Sequence, residues 1–177
     1  MFYFKQIDVK NNICNELKSW CMDNIQTNNV PFVLLDSNKF INECPLFLKW
    51  ASDQDLKIKL VVGIKVNAHN EQIESKTPHI DLMDNERNIA LNFPIKNCDN
   101  TYTTMYKLKK GDQIDITLPD GTAYSKFSDD SEFEEVETFY LKKPTFFNTG
   151  IPHQVFNNTD DVRLSLSIRF ERNPKFN

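Results

Sequence analysis

No apolar run in these 177 residues approaches the roughly 20 residues that a helix needs to cross a bilayer. The opening Met1-Phe2-Tyr3-Phe4-Lys5-Gln6 lacks the basic region, long apolar stretch and small-residue cleavage site of a secretory leader. The expectation is a protein that stays off membranes and in the cytoplasm. An excess of positive charge is missing too: the formal net charge is −4 and the pI ≈ 5.4. That balance argues against a surface built to neutralise a nucleic-acid backbone, so no constitutive nucleic-acid binding is expected. There is no internal repeat, no low-complexity tract, no interdomain linker and no CxxC pair. Cys14, Cys21, Cys44 and Cys98 have no zinc-site spacing and read as reduced thiols that pack in the core. Cys14 and Cys21 sit on one expected helix about 10 Å apart along its axis, too far for a disulfide.

What is present is enough apolar bulk for one packed interior. The hydrophobic fraction is 40% and the aromatic fraction 12%, led by 14 Phe. A chain of this length supports one core comfortably, so a single domain over 1–177 is expected. Within it, 1–56 reads as mainly helical support and 57–177 as a β core. Ile13, Leu17, Trp20 and Cys21 recur at spacings of three and four and mark one helix face. Residues 30–35 read as a short strand. Asp36-Ser37-Asn38 then supplies turn or N-cap chemistry for a second helical segment that Pro45 starts or restarts.

From Lys57 onward the hydrophobic period falls to two. Strands are expected near 58–66, 88–94, 102–108, 113–118, 136–141, 145–148, 153–157 and 163–170. Turn signals separate them at Lys110-Gly111-Asp112, Pro119-Asp120-Gly121, Thr149-Gly150 and Asn157-Asn158-Thr159-Asp160. About eight strands after the helices suggest a mainly β fold with N-terminal helices. Its form would be a double-stranded β-helix, the cupin-like jelly roll, with helices packed on one outer face. The acidic stretch Ser128-Asp129-Asp130-Ser131-Glu132-Phe133-Glu134-Glu135 reads as a solvated loop between strands, with substrate screening as the functional alternative.

The chain has only three histidines. In Thr77-Pro78-His79-Ile80-Asp81, the HxD spacing puts an imidazole and a carboxylate on the same side of an extended segment. His153 follows the Asn148-Thr149-Gly150-Ile151-Pro152 turn, and a roll brings remote strands together. Two imidazoles and one carboxylate bind ferrous iron with three adjacent positions left open, which suits oxygen chemistry. HxD by itself is a weak signal. Ten residues beyond His153 comes Arg163-Leu164-Ser165. There Leu164, Leu166, Ile168 and Phe170 form one strand face, and Arg163, Ser165, Ser167 and Arg169 the other. If the polar face points inward, Arg163 is a buried cation that needs an anion. A dicarboxylate answers that need. Its far carboxylate takes a bidentate bond from Arg163 and another from the Ser165 hydroxyl, while its 2-oxo-acid end chelates the metal.

On these residues the chain resembles the 2-oxoglutarate- and iron(II)-dependent oxygenases. Within them it looks like the small aspartyl/asparaginyl-hydroxylase-like or phage-encoded members. The matching text is His79-Ile80-Asp81, Leu91-Asn92-Phe93-Pro94-Ile95-Lys96-Asn97-Cys98, the stretch from Asn148 to His153, and Arg163-Leu164-Ser165. The likeness runs from about Lys57 to the end of the chain, and its specificity lies in the combination rather than in any one piece. It implies a metal held by His79, Asp81 and His153, with Fe(II), 2-oxoglutarate and O2 as cofactor and cosubstrates. It also implies decarboxylation of 2-oxoglutarate to succinate with hydroxylation of a C–H bond on a small molecule or peptide side chain. Aspartyl/asparaginyl hydroxylases proper often lack the carboxylate ligand, so Asp81 makes the substrate of that subfamily a poor guide.

Asn92 and Tyr106 are candidates for hydrogen bonds to cosubstrate or substrate, against ordinary packing. Arg169 shares the polar face of Arg163, but its place near the strand's end favours a surface salt bridge. Arg87 could reach the pocket mouth. His69 has no partner at useful spacing and reads as an exposed loop residue. The alternative from another class is a catalytically silent cupin-like module that binds a metal or metabolite, and a third is a jelly-roll enzyme that uses its ion only as a Lewis acid.

Overall fold

In the computed structural model, residues 3–25, 32–70, 77–82, 88–117 and 123–175 are described. The first strand, β1 (Phe4–Gln6), precedes helix α1 (Asn11–Asn24), where Ile13, Leu17, Trp20 and Cys21 are buried on one face, as their spacing requires. After β2 (Phe32–Leu35), helix α2 (Ser37–Glu43) opens on Asp36. The Asp36 carboxylate accepts from the backbone N–H groups of Asn38 and Lys39 at 2.9 and 3.1 Å. Helix α3 (Pro45–Asp53) has Pro45 in its first turn, where the missing N–H costs nothing. Its next two amides, Leu46 and Phe47, donate at 3.0 and 2.8 Å to the Glu16 carboxylate of α1, which ties the two helices together.

The strands that follow are β3 (Ile58–Val66), β4 (Ile80–Leu82), β5 (Ile89–Lys96), β6 (Tyr102–Lys110), β7 (Gln113–Thr117), β8 (Ala123–Phe127), β9 (Glu132–Tyr140), β10 (Thr145–Asn148), β11 (His153–Phe156) and β12 (Arg163–Phe170). All pairings among them are antiparallel. One layer is a six-stranded sheet in the order β1-β10-β5-β12-β3-β2. The other is formed by two three-stranded sheets, β11-β6-β9 and β4-β8-β7. An isolated antiparallel bridge between His79 and His153 joins them. The protein is a jelly roll, the double-stranded β-helix expected from the strand pattern.

The alternation in β12 sorts its residues as the sequence implies. Leu166, Ile168 and Phe170 join a core cluster with Leu17 and Trp20 of α1, Phe40 of α2 and Phe47 of α3, so the helices cover the outer face of the large sheet. Arg163, Ser165, Ser167 and Arg169 are buried on the inner face. A second, smaller cluster of Met105, Phe139, Phe147 and Ile151 fills part of the roll. Gly111 makes the turn after β6 with φ of 110°, and an added Cβ would strike Ser131.

Several elements differ from expectation. The three-residue β1 and β4 carry too few alternating residues to stand out in the sequence, and the five-residue β8 was not anticipated either. Strand β9 begins at Glu132, so half of the acidic stretch is strand rather than loop. The reason lies across the ladder, where Glu132, Glu134 and Glu135 face Lys110, Lys107 and Tyr106, and Lys109 Nζ approaches Glu134 at 3.4 Å. Cross-strand lysines offset repulsion that an isolated reading of the acids makes prohibitive. The turn at 119–121 and Arg87 lie outside the described residues. His69 is exposed, as expected, but its ring meets Asp160 at 2.9 Å.

Candidate metal centre

His79 and His153 come from sequence positions 74 apart and meet because their backbones pair. Each donates its N–H to the other's carbonyl at 2.9 Å. Residues paired in this way present their side chains on the same face of the sheet, and the two rings stand 4.5 Å apart between centroids. Asp81, two residues after His79, returns to that face by strand alternation. Its backbone N–H donates to Thr149 at 3.1 Å, which anchors it against the turn that precedes His153.

The Asp81 Oδ1 atom lies 3.6 Å from His79 Nε2 and 3.9 Å from His153 Nε2. All three donor atoms are within 4.8 Å of one another. Donors about 2.1 Å from one cation can stand at most roughly 4.2 Å apart, so both carboxylate distances fit a shared ion. The ring orientations fit as well. His153 Nδ1 donates to the Ile151 carbonyl at 2.8 Å, which leaves the Nε2 lone pair facing Asp81. Phe147 packs edge-on against the same ring, with centroids 4.7 Å apart.

Burial, then the neighbouring His79, push the His153 imidazole down to about 4 against the pull of Asp81. It is therefore neutral at pH 7, the form that donates to a metal. Burial disfavours the Asp81 carboxylate, yet His153, Arg169 and His79 together outweigh it and hold the group below the usual carboxylate range.

Arg169 departs from the expected surface salt bridge. It is 5% exposed, and its Nη2 donates to Asp81 Oδ2 at 2.8 Å. Its Nη1 donates to the Thr149 hydroxyl, which itself donates to the Asn88 carbonyl at 3.0 Å. The strand's end is not at the surface because β12 is flanked by β5 and β3 along its length, while the turn carrying Thr149 closes over it. Asp81 is thus divided: one oxygen faces the imidazoles and the other is held by a guanidinium. The two-residue alternation from Arg163 to Arg169 was the available signal, and position along the strand misdirected its reading.

Arg163, Ser165 and Asn92 line the same pocket as His79, Asp81 and His153. Arg163 is 3% exposed. It donates to the Ser165 hydroxyl at 3.1 Å, and among the described residues no carboxylate forms an ion pair with it. Asn92 Oδ1 is buried without a hydrogen-bond partner. Tyr106 does not join them. Thr103 and Met105 of β6 face the interior, so alternation turns Tyr106 the other way, and its ring packs edge-on against Phe133, 5.8 Å between centroids. Phe147 and Thr149 belong to the site's surroundings and were not anticipated, since apolar packing and a turn threonine carry no sequence mark.

Fold and site together define a jelly roll that gathers in one pocket two histidines, an aspartate and an interior arginine without a carboxylate partner among the described residues. The sequence matches no protein-family model and no curated protein. Among solved structures the chain is similar to EvdO2 from Micromonospora carbonacea var. aurantiaca, with a TM-score of 0.54 and 11% identity over 97% of this chain and 87% of that one. It is also similar to a prolyl-4-hydroxylase from Pseudomonas putida, with a TM-score of 0.48 and 14% identity over 97% of this chain and 93% of that one. The likeness to EvdO2 establishes a shared fold; the second is looser, and nothing further is built on it. No helix among the described residues is long and apolar enough to cross a membrane.

Proposed function

We propose that the chain is a 2-oxoglutarate- and Fe(II)-dependent oxygenase that hydroxylates a C–H bond of a small molecule or peptide side chain. The observation that carries this reading is Arg163, a buried cation with no carboxylate partner among the described residues, in one pocket with His79, Asp81 and His153. A centre that binds only a metal does not need it. His79, Asp81 and His153 would hold ferrous iron, which supplies oxygen activation coupled to decarboxylation of the cosubstrate to succinate. Arg163 and Ser165 bind and orient the far carboxylate of 2-oxoglutarate, with charge-assisted bonds strengthened by the dry interior. The Asn92 carbonyl, which lacks a donor, is assigned to a bound water at the cosubstrate. Arg169 orients Asp81 without touching the cosubstrate. In this reading 57–177 forms the working roll and 1–56 its helical support within one domain.

Anaerobic protein mixed with ferrous iron and 2-oxoglutarate should develop the weak visible charge-transfer band of a chelate. Arg163→Ala should abolish the band and leave iron binding intact. Iron binding without the band, and without succinate release in air, would instead describe a catalytically silent cupin-like module.

A further inference from the structure

The inner face of the large sheet continues beyond the pocket onto its open edge. Cross-strand partners share a face, so the registers Ser165↔Ile64↔Phe32 and Ser167↔Val62↔Leu34 extend the pocket floor onto β3 and β2. Gly63, one residue out of phase, points the other way: a side chain there would meet Ile25. The inner row is apolar yet incompletely covered. Leu34 is 48% exposed, and Phe32, Val62 and Ile64 are half-buried. On the facing layer, the register Asp81↔Tyr124↔Ile116 puts two more half-buried apolar side chains in the same row as the candidate metal ligand.

Phe32 and Ile64 line the same pocket as His79 and Asp81, so this cleft is continuous with the candidate centre. Lys65 also borders the pocket, but it pairs with Leu164 and shares that residue's face, toward the helix-covered core. Apart from Asp81 of the candidate centre, the residues named on these walls are uncharged; Lys126, two residues beyond Tyr124, shares its face and is exposed. Strand alternation normally places polar residues on a wetted sheet face, and apolar ones at a pocket mouth mark a contact surface.

We propose, resting on the oxygenase reading above, that the cleft takes an uncharged apolar segment of the substrate, an aliphatic or aromatic side chain. It would lie between β2–β3 and β7–β8 so that one of its C–H bonds faces the candidate centre. Phe32, Leu34 and Tyr124 set this specificity.

The test is titration of the 15N-labelled, metal-free chain with the N-acetyl amides of leucine, phenylalanine, glutamate and lysine, followed by amide chemical shifts. The leucine and phenylalanine compounds should shift β2, β3 and β8 and bind about tenfold or more tightly than the charged pair. Leu34→Lys should reverse the order in favour of the glutamate compound, whereas a merely loosened fold would weaken all four alike. Equal binding of charged and apolar compounds, no shifts on these strands, or uniform weakening in Leu34→Lys would each overturn the proposal. The titration needs neither iron nor 2-oxoglutarate. Apolar preference without the charge-transfer band would sink the oxygenase reading alone, and the band without apolar preference would sink this assignment alone.

Discussion

The contact between Arg169 and Asp81 is a buried ion pair at the edge of the candidate centre. Removing one partner from a buried pair leaves the other charge uncompensated, at a cost of about 3–5 kcal/mol. Arg169→Met should accordingly lower the urea midpoint of the metal-free protein substantially. It should also weaken ferrous-iron binding by roughly 10- to 100-fold, because Asp81 loses the group that aims it. Unchanged iron affinity in a folded Arg169→Met protein would show that the pair is structural only. His153 adds a pH dependence. Its folded value of about 4 lies below the ordinary 6.5, so between those limits the unfolded chain takes up a proton that the folded chain refuses. Stability of the metal-free protein is full above pH 6.5 and falls as pH drops toward 4, by up to about 3 kcal/mol. Melting curves across that window should show the slope, and His153→Asn should flatten it. Asp81, also held low, acts in the same sense: its stabilisation is present above the ordinary carboxylate value and is lost in stronger acid.

At the scale of elements, most of the roll follows from alternation, and the joints between elements follow from single polar groups. Glu16 is such a joint. It is an acceptor on α1 that satisfies two first-turn amides of α3. Glu16→Ala should cost about 1–2 kcal/mol in denaturant unfolding, and Glu16→Gln should recover part of it by keeping an acceptor oxygen. Strands β3, β10 and β12 match the expected limits because each is a run of alternating, β-branched or aromatic residues ended by turn chemistry. Strands β4 and β8 were not legible, since β4 has three residues and owes its extended form to pairing with β8 and to the His79 bridge. The acidic start of β9 was misread for the same reason: its cross-strand lysines are invisible to a local reading.

For the whole molecule, metal binding should act as a folding ligand. The three donors come from segments that only the closed roll brings together, so a cation that binds the folded chain adds stability by mass action. Cobalt(II), as a stable stand-in, should raise the melting temperature by about 5–10 °C at roughly a hundredfold excess over its dissociation constant. His79→Ala should remove that rise. An equal rise in the variant would mean that the ion binds elsewhere. The helical layer enters only indirectly, by covering the outer face of β12 so that its polar face is left for the interior.

Residue types and their spacing were enough to mark the period-two roll, the HxD pair, the remote His153 and the Arg163–Ser165 face, because strand alternation is a local property of the chain. Contacts across layers are not local. The mutual backbone pairing of His79 and His153, the capture of Asp81 by Arg169 and the cross-strand rows that carry the inner face onto β2 and β8 each depend on which strands become neighbours. That depends on burial and closure of the whole roll, terms to which every segment contributes and that no single segment displays.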